Sequence, residues 1–312
     1  MKITVIGAGI SGLATAYILR KKNHDVKIFA KELSPNTTSN KAAAFWFPYH
    51  IRNDNRGIFW CKRSYKVYQD FSQNSLSGVS MQQLLKVVPA GIKEQEITWL
   101  SFMPQNSYQV MEEHEIPEGY SKGYHAQVPL IETQIFLKWL MNELHQMNVE
   151  IKIKNIHSFD EITDAEFIVN CTALGSIQLC NDKELIPIRG QVALLEPKQF
   201  PFIFLDNETP LYIVPRKDAI IVGGTFEEGV IDTVCEPETL DKILANAYKI
   251  FPDLKKQKVI GSWAGLRPYR PYVRVEKENN IIHNYGHGGS GFTLAWGCAE
   301  EVSLLIKNNN PE

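Results

Sequence analysis

The sequence predicts an α/β protein in which a parallel-sheet unit is interleaved along the chain with a second unit built on a mixed, largely antiparallel sheet. Three observations carry this. A strand–turn–helix–strand pattern fills residues 2–30, the unit from which parallel sheets are built. Helix and strand texture returns in the middle and at the end of the chain. Between residues 188 and 224 it gives way to four short apolar runs separated by polar turns, the pattern of an antiparallel meander. No Pro/Gly/Ser-rich linker, repeat or low-complexity tract divides the two textures, so the units share the chain rather than follow one another.

Residues 2–6 (KITVI) read as a buried strand. Residues 7–12 form a glycine turn that opens a helix over 11–21, with Leu13, Ala16, Tyr17 and Leu19 facing inward. A second strand covers 25–30. Residues 53–73 read as an amphipathic helix. Residues 132–146 form a clearer one, with Ile135, Phe136, Trp139, Leu140 and Leu144 on one broad face. Strands follow at 150–154 and 166–170. The meander consists of QVALLE, FIFL, LYIVP and AIIVGG. A helix over 237–250 and strands over 259–268, 272–276 and 281–284 come next. A glycine-rich run and a closing helix over 292–307 end the chain.

A chain of 312 residues has room for roughly two domains and a large core. Its 33 basic and 35 acidic residues give a net charge of −2 with no basic stripe, which speaks against nucleic acid as a partner. The longest apolar runs are strand-length, short of the ~20 residues of a membrane span. The opening apolar run fits a strand and glycine turn better than a secretion signal, so an unprocessed, cytosolic chain is expected. Residues 308–312 (NNNPE) carry no sorting signal. Cys61, Cys171, Cys180, Cys235 and Cys298 are odd in number and form no C-x-x-C, which points to reduced thiols. His283 and His287 have metal-ligand spacing for a helix, but Gly286 and Gly288 oppose a helix there, so no metal site is expected.

Gly7-Ala8-Gly9-Ile10-Ser11-Gly12 matches G-x-G-x-x-G between a strand and a helix. The first glycine permits the tight turn, the second lets backbone approach a pyrophosphate, and the third lets helix pack on strand. The free N–H groups of the helix start favour phosphate. An acid that binds ribose hydroxyls is expected some twenty residues on; Glu32 stands there, after Lys31. The motif does not separate NAD from FAD. Near the other end, Gly286, Gly288, Gly289 and Gly291 fall within six positions, just before a helix. Such a backbone can approach a flat ligand, or equally serve a tight chain crossing. Arg267 follows an apolar strand; its planar fork suits a carboxylate, either a ligand's or an internal Asp or Glu.

Taken together, VIGAGISGLATA, SPNTTSNKAAAFWFPY, GYHAQVPLIETQIFLKWL, FIVNCTALGS, IRGQV, LYIVPRKDAIIVGGT, WAGLRPYRPYVRVE and HNYGHGGSGFTLAWGCA run in an order that resembles the D-amino-acid oxidase family of flavoproteins, which includes D-aspartate oxidase. The resemblance covers nearly the whole chain. It implies a Rossmann-type FAD-binding domain made of residues 1–50, 130–182 and 260–312, and a substrate domain made of 51–129 and 183–259. It also implies noncovalent FAD, hydride transfer from the Cα of a D-amino acid to the flavin, hydrolysis of the imino acid, and reoxidation by dioxygen with release of hydrogen peroxide. The resemblance assigns the substrate carboxylate to Arg267 and Tyr212, and the substrate amine to the Gly289 carbonyl. Phe47, Tyr49 and Ser290 would border the substrate. Gly7 to Gly12, Lys31 or Glu32, Thr38, Ser39, Ala43, Ala44, Ile156, Cys171, Thr172, Gly288, Gly291, Phe292 and Thr293 would contact FAD.

The chain departs from the vertebrate pattern in places. A second active-site tyrosine on the lid is missing, Glu208 falls nearby, and the lid between Phe204 and Tyr212 is short. Phe47 stands where a polar residue is usual and favours neutral side chains. D-aspartate oxidation would need a second cation, for which Arg216 and Arg270 are available. A glycine- or sarcosine-oxidising enzyme, a flavoprotein without oxidase turnover and a nicotinamide dehydrogenase stay open as alternatives. A homodimer is one assembly open to the chain.

Overall fold

The computed structural model describes residues 1–92 and 98–307; the C-terminal run read for sorting signals lies outside the described residues. Its strands are β1 (Lys2–Ile6), β2 (Asp25–Ala30), β3 (Val79–Pro89), β4 (Tyr108–Val110), β5 (Tyr120–Ile131), β6 (Glu150–Ile153), β7 (Phe167–Asn170), β8 (Ile186–Leu195), β9 (Ile203–Asp206), β10 (Leu211–Pro215), β11 (Ile220–Gly223), β12 (Glu227–Glu228), β13 (Val259–Glu278) and β14 (Ile281–His287). The α-helices are α1 (Ile10–Lys21), α2 (Asn55–Phe71), α3 (Thr133–Gln146), α4 (Ser176–Leu179), α5 (Pro237–Ile250) and α6 (Gly291–Lys307).

All strands join one sheet in the order β4-β5-β3-β9-β10-β11-β8-β13-β14-β7-β1-β2-β6, with β12 beside β8. From β14 to β6 every pairing is parallel. The rest is antiparallel except where β3 runs parallel to β9. The β1 run Ile3-Thr4-Val5-Ile6 is buried throughout, as a strand covered on both faces must be. The meander holds for β9, β10 and β11, but β8 pairs with β11 and β13 rather than with its successor β9.

Helices α1, α2, α3 and α6 pack through one aromatic cluster. Trp296 stands edge-on to Tyr17 at 5.6 Å and to Phe71 at 5.2 Å, and Phe71 meets Trp139 at 5.0 Å. Such pairs contribute about 0.5–1.5 kcal/mol each beyond area burial. The antiparallel half has its own core, where Ile243, Leu244 and Ala247 of α5 cover Ile213, Ile220 and Val222.

Several sequence expectations change. Ile135 is 40% exposed; the buried stripe of α3 runs through Phe136, Leu137, Leu140 and Leu144 instead, and Trp139 is partly buried. Helix α2 starts at Asn55 because the Asp54 side chain accepts the Gly57 N–H at 2.8 Å and caps it. Strands β3 and β5, paired from Val79↔Ile131 to Pro89↔Tyr120, have no counterpart in the sequence reading. Gln82, Gln83, Gly123 and Pro129 interrupt their apolar pattern. The two strands expected over 259–276 are one, β13, which shifts register between Tyr269 and Arg274 where Pro271 removes a ladder donor.

The α2–α6 contact tolerates no side chain at Gly297, where a Cβ would stand 2.2 Å from Trp60 Cα. Gly297→Ala is expected to destabilise the fold by about 1–3 kcal/mol, as overpacking does. Urea unfolding checks this; an unchanged midpoint would mean the helices part freely.

Candidate active site

The β1–α1 turn is built by close packing. Gly7 has φ 114°, and a Cβ there would lie 2.4 Å from the Cys171 carbonyl oxygen. A Cβ at Gly12 would lie 1.9 Å from the Gly7 carbonyl oxygen, so α1 rests directly on the turn it leaves. The backbone N–H of Ile10 donates to Ser39 Oγ at 3.0 Å, and Ser11 Oγ donates to the Asn284 carbonyl at 3.0 Å. The first turn of α1 carries no acidic side chain. Its free N–H groups and positive dipole end remain available to an anion.

From this turn a cleft runs to the second glycine run. Gly9, Ile10, Ser11, Thr38, Ser39 and Cys171 line it together with Ala43, Ala44, Gly288, Gly291, Phe292 and Thr293, and a Cβ at residue 291 would stand 3.7 Å from Ile10 Cγ2, so the two glycine runs meet across it. The first turn of α6 is bolted to the facing segment. Thr293 Oγ1 donates to the Phe47 carbonyl at 2.8 Å and accepts the Phe47 N–H at 3.2 Å. Ser290 Oγ donates to the Tyr49 carbonyl at 2.5 Å. Apart from asparagines, the described non-glycine residues with positive φ are Ala44, His50 and Ala173. All three border this cleft or the hollow beside it. Strained backbone of this kind gathers at functional sites.

Arg267 enters the cleft from β13, half-buried. Its Nη1 donates to the Thr225 carbonyl at 3.0 Å and, at 3.4 Å, to the Arg189 carbonyl. The guanidinium fits only because residue 190 is glycine; a Cβ there would stand 2.3 Å from both Nη atoms. Among the described residues no carboxylate pairs with Arg267, so the internal partner allowed by the sequence is not there. Tyr212 on β10 faces Gly223 across the ladder, and the Arg267 guanidinium lies near its hydroxyl. Burial raises the Tyr212 phenol above its ordinary range, opposed by Arg267. Tyr49 stands against Gly289, and burial raises its phenol too, again opposed by Arg267. Burial pushes the His287 imidazole down to about 4, so it is neutral at pH 7; its Nε2 meets Asn284 Oδ1 at 3.1 Å.

The structure therefore brings Arg267, Tyr212, Gly289, Phe47 and Tyr49 into the cleft. Gly7, Ala8 and Gly12 support it from behind. Ser290 is buried and serves as the bolt on Tyr49 rather than as a cleft wall. Ile156 packs with Ile6, Ile162 and Ile168, away from the cleft lining. Thr172 hydrogen-bonds Asn170 and Ser176. Lys31 and Glu32 are exposed beyond β2. Arg216 is held by Asp218, Thr133 and the Ala42 carbonyl, and Arg270 by Asp182 and Glu184, so neither charge is free for a ligand. The turn after β9 is only residues 207–210, tied by Asp206, which accepts the backbone N–H groups of Glu208 and Thr209. Sequence reasoning did not single out Gly190 and Thr225; only the fold shows that they frame the guanidinium. The described residues contain no group of His, Cys, Asp or Glu able to hold a metal.

A family model described as FAD dependent oxidoreductase (DAO) matches residues 2–305. A D-amino-acid oxidase of Rubrobacter xylanophilus is 33% identical, covering 97% of this chain and 95% of its own. A D-amino acid oxidase of Dugesia ryukyuensis is also 33% identical, covering 99% and 98%. Among solved structures, L-proline dehydrogenase from P. horikoshii aligns with TM-score 0.82 at 17% identity, over 100% of this chain and 94% of that one, a likeness of fold. Since the match runs from the first strand to the last helix, the chain belongs to the FAD-dependent oxidoreductase family.

Proposed function

We propose that this protein oxidises neutral D-amino acids. The Cα–H and an amine N–H of the substrate are lost, the resulting imino acid hydrolyses to a 2-oxo acid and ammonia, and dioxygen is reduced to hydrogen peroxide. The observation that carries this reading is the unpaired, half-buried guanidinium of Arg267 beside the Tyr212 hydroxyl in the cleft. The residues present fit FAD. Residues of both glycine runs line one cleft, and a Cβ at residue 9 would already crowd Ser39 Oγ at 3.0 Å, so glycine leaves the backbone of the turn bare there. The first-turn N–H groups of α1 would hold the pyrophosphate, and Ala43, Ala44 and the start of α6 would border the ring. When bound there, FAD supplies the two-electron carrier between amino acid and dioxygen.

The chain's own part is positioning. Arg267 and Tyr212 donate to the substrate carboxylate, and the Gly289 carbonyl accepts from the amine. Fixing both ends of so small a molecule orients its Cα–H, an effect that reaches about 7–11 kcal/mol in well-aligned systems. His287 is neutral and hydrogen-bonded, and Tyr49 and Tyr212 keep their protons. No side chain is assigned as a general base; the substrate amine reacts in its neutral form. Phe47, packed on Trp99 at 5.4 Å, and the commitment of Arg216 and Arg270 to carboxylates favour neutral side chains over D-aspartate. We assign residues 1–50, 130–182 and 260–312 to FAD and 51–129 and 183–259 to the substrate. We place the protein in the cytoplasm as a monomer or homodimer, with no nucleic-acid or membrane partner. No helix of the described residues is long and apolar enough to cross a membrane.

Peroxide release with D-alanine, D-aspartate, glycine and L-alanine tests the function. D-Alanine is expected to have the highest kcat/KM, and absence of peroxide with every D-amino acid refutes the reading. Arg267→Ala is expected to raise KM for D-alanine about a hundredfold while FAD stays bound, since a hydrogen bond to a charge contributes about 1.5–3 kcal/mol. Tyr212→Phe should cost about 0.5–1.5 kcal/mol, or roughly 2–12-fold. Gly12→Ala, which drives a Cβ into the Gly7 carbonyl, should give protein that loses its yellow colour on gel filtration. The pH profile of kcat/KM should rise along a single limb whose midpoint moves with the amine pKa of the substrate. A midpoint that stays fixed from substrate to substrate would reveal an enzyme base.

A further inference from the structure

The segment from Thr225 to Glu236 contains only the two-residue strand β12, and its large apolar side chains Phe226, Ile231 and Val234 are 44%, 76% and 70% exposed. Apolar burial therefore does little to hold it. What holds it is polar and comes from β8. Arg189, 0% exposed, pairs with Glu227 and donates to the Val234 carbonyl, with Asp232 at 3.7 Å and Glu236 at 3.9 Å. Gln191 completes the fastening: its side chain accepts the Glu236 N–H at 2.9 Å and donates to the Glu236 carbonyl at 2.8 Å. Its backbone N–H donates to Thr225 Oγ1 at 2.9 Å. The first residue of the fastened segment is the one whose carbonyl accepts Arg267 Nη1 at 3.0 Å; the second acceptor is the carbonyl of Arg189 itself.

We propose that Arg189 is a positioning residue for the substrate-carboxylate site: by fastening residues 225–236 to β8, it holds the Thr225 carbonyl where that oxygen orients the Arg267 guanidinium. Arg189 touches neither substrate nor cofactor; it acts through the loop. Three acids stand around this one buried cation. The neighbouring Arg267 therefore keeps its charge for the ligand rather than spending it on an internal acid. A guanidinium displaced by even ~1 Å loses the paired geometry on which orientation of a small substrate depends. The proposal rests on the reading of Arg267 as the carboxylate anchor.

Two variants test it. Arg189→Met keeps an unbranched, apolar side chain in the buried site, the kind of replacement such sites often accept. Glu227→Gln removes the charge of its half-exposed partner and carries the test if the first variant does not fold. The readouts are KM and kcat for D-alanine, and the affinity for propionate, its deaminated analogue, read from the flavin absorbance without turnover. Both variants are expected to raise KM and the propionate Kd in parallel, about tenfold or more for Arg189→Met. kcat should change less than about threefold and FAD should be retained. Gly297→Ala, destabilised at a distance from the site, should leave the propionate Kd unchanged, which separates positioning from general loss of stability. Wild-type KM and propionate affinity in both variants overturn the proposal and leave the Arg267 assignment standing. Failure of the parent protein to turn over any D-amino acid refutes the activity instead, and the propionate measurement still decides the role of Arg189.

Discussion

An unpaired guanidinium is the feature around which the cleft is organised. A buried arginine ordinarily takes a carboxylate of its own chain, because leaving the charge uncompensated in a low-dielectric setting costs several kcal/mol. Arg267 has only backbone carbonyls on its inner side and a phenol beside it. Partial exposure makes that tolerable, and in the function we propose a ligand carboxylate would complete it. Gly190 opens the slot, Gly223 makes room for the Tyr212 ring, and the 225–236 segment closes the back.

The dinucleotide end follows a similar logic, in which missing side chains define the site. Gly7 and Gly12 let β1, β7 and α1 approach to backbone contact, and that approach places the first turn of α1 at the cleft. The segment between them and the substrate end is held in an unfavourable backbone conformation at Ala44, which costs on the order of 1–3 kcal/mol. It persists because the Ile131 N–H donates to the Ala44 carbonyl at 2.8 Å, and because α6 clasps Phe47 and Tyr49. The rigidity of the pocket thus derives from α6 and β5 together.

Much of this is legible in the sequence, for identifiable reasons. The β1–α1–β2 unit and α5 announce themselves through glycine punctuation, period and length, and α5 falls on its expected bounds. Arg267 and Gly289 are singled out by the order of motifs along the whole chain, since read alone each leaves a structural alternative open. The β3–β5 pair stayed hidden because glutamines, a glycine and a proline break its alternation, and pairing across distant segments leaves no local trace. Ser290 and Ile156 are both buried in this chain, one hydrogen-bonded to the Tyr49 carbonyl and the other packed with Ile6, surroundings that a family pattern does not announce. Ile135 faces outward because α3 turns its apolar stripe toward Phe71 and Trp296 through Phe136 and Trp139, a choice that only tertiary packing decides.

Strand β13 is 20 residues long; its first half pairs with β8 and its second half with β14. One strand therefore crosses from the antiparallel half to the parallel half, and its register shift between Tyr269 and Arg274 falls at the crossing. Because both halves share this strand, a clamshell motion between them would have to work against ladder hydrogen bonds on either side of that point. The same continuity means that neither half can be cut out as a self-sufficient fragment, and that heat should melt the two together in one cooperative step.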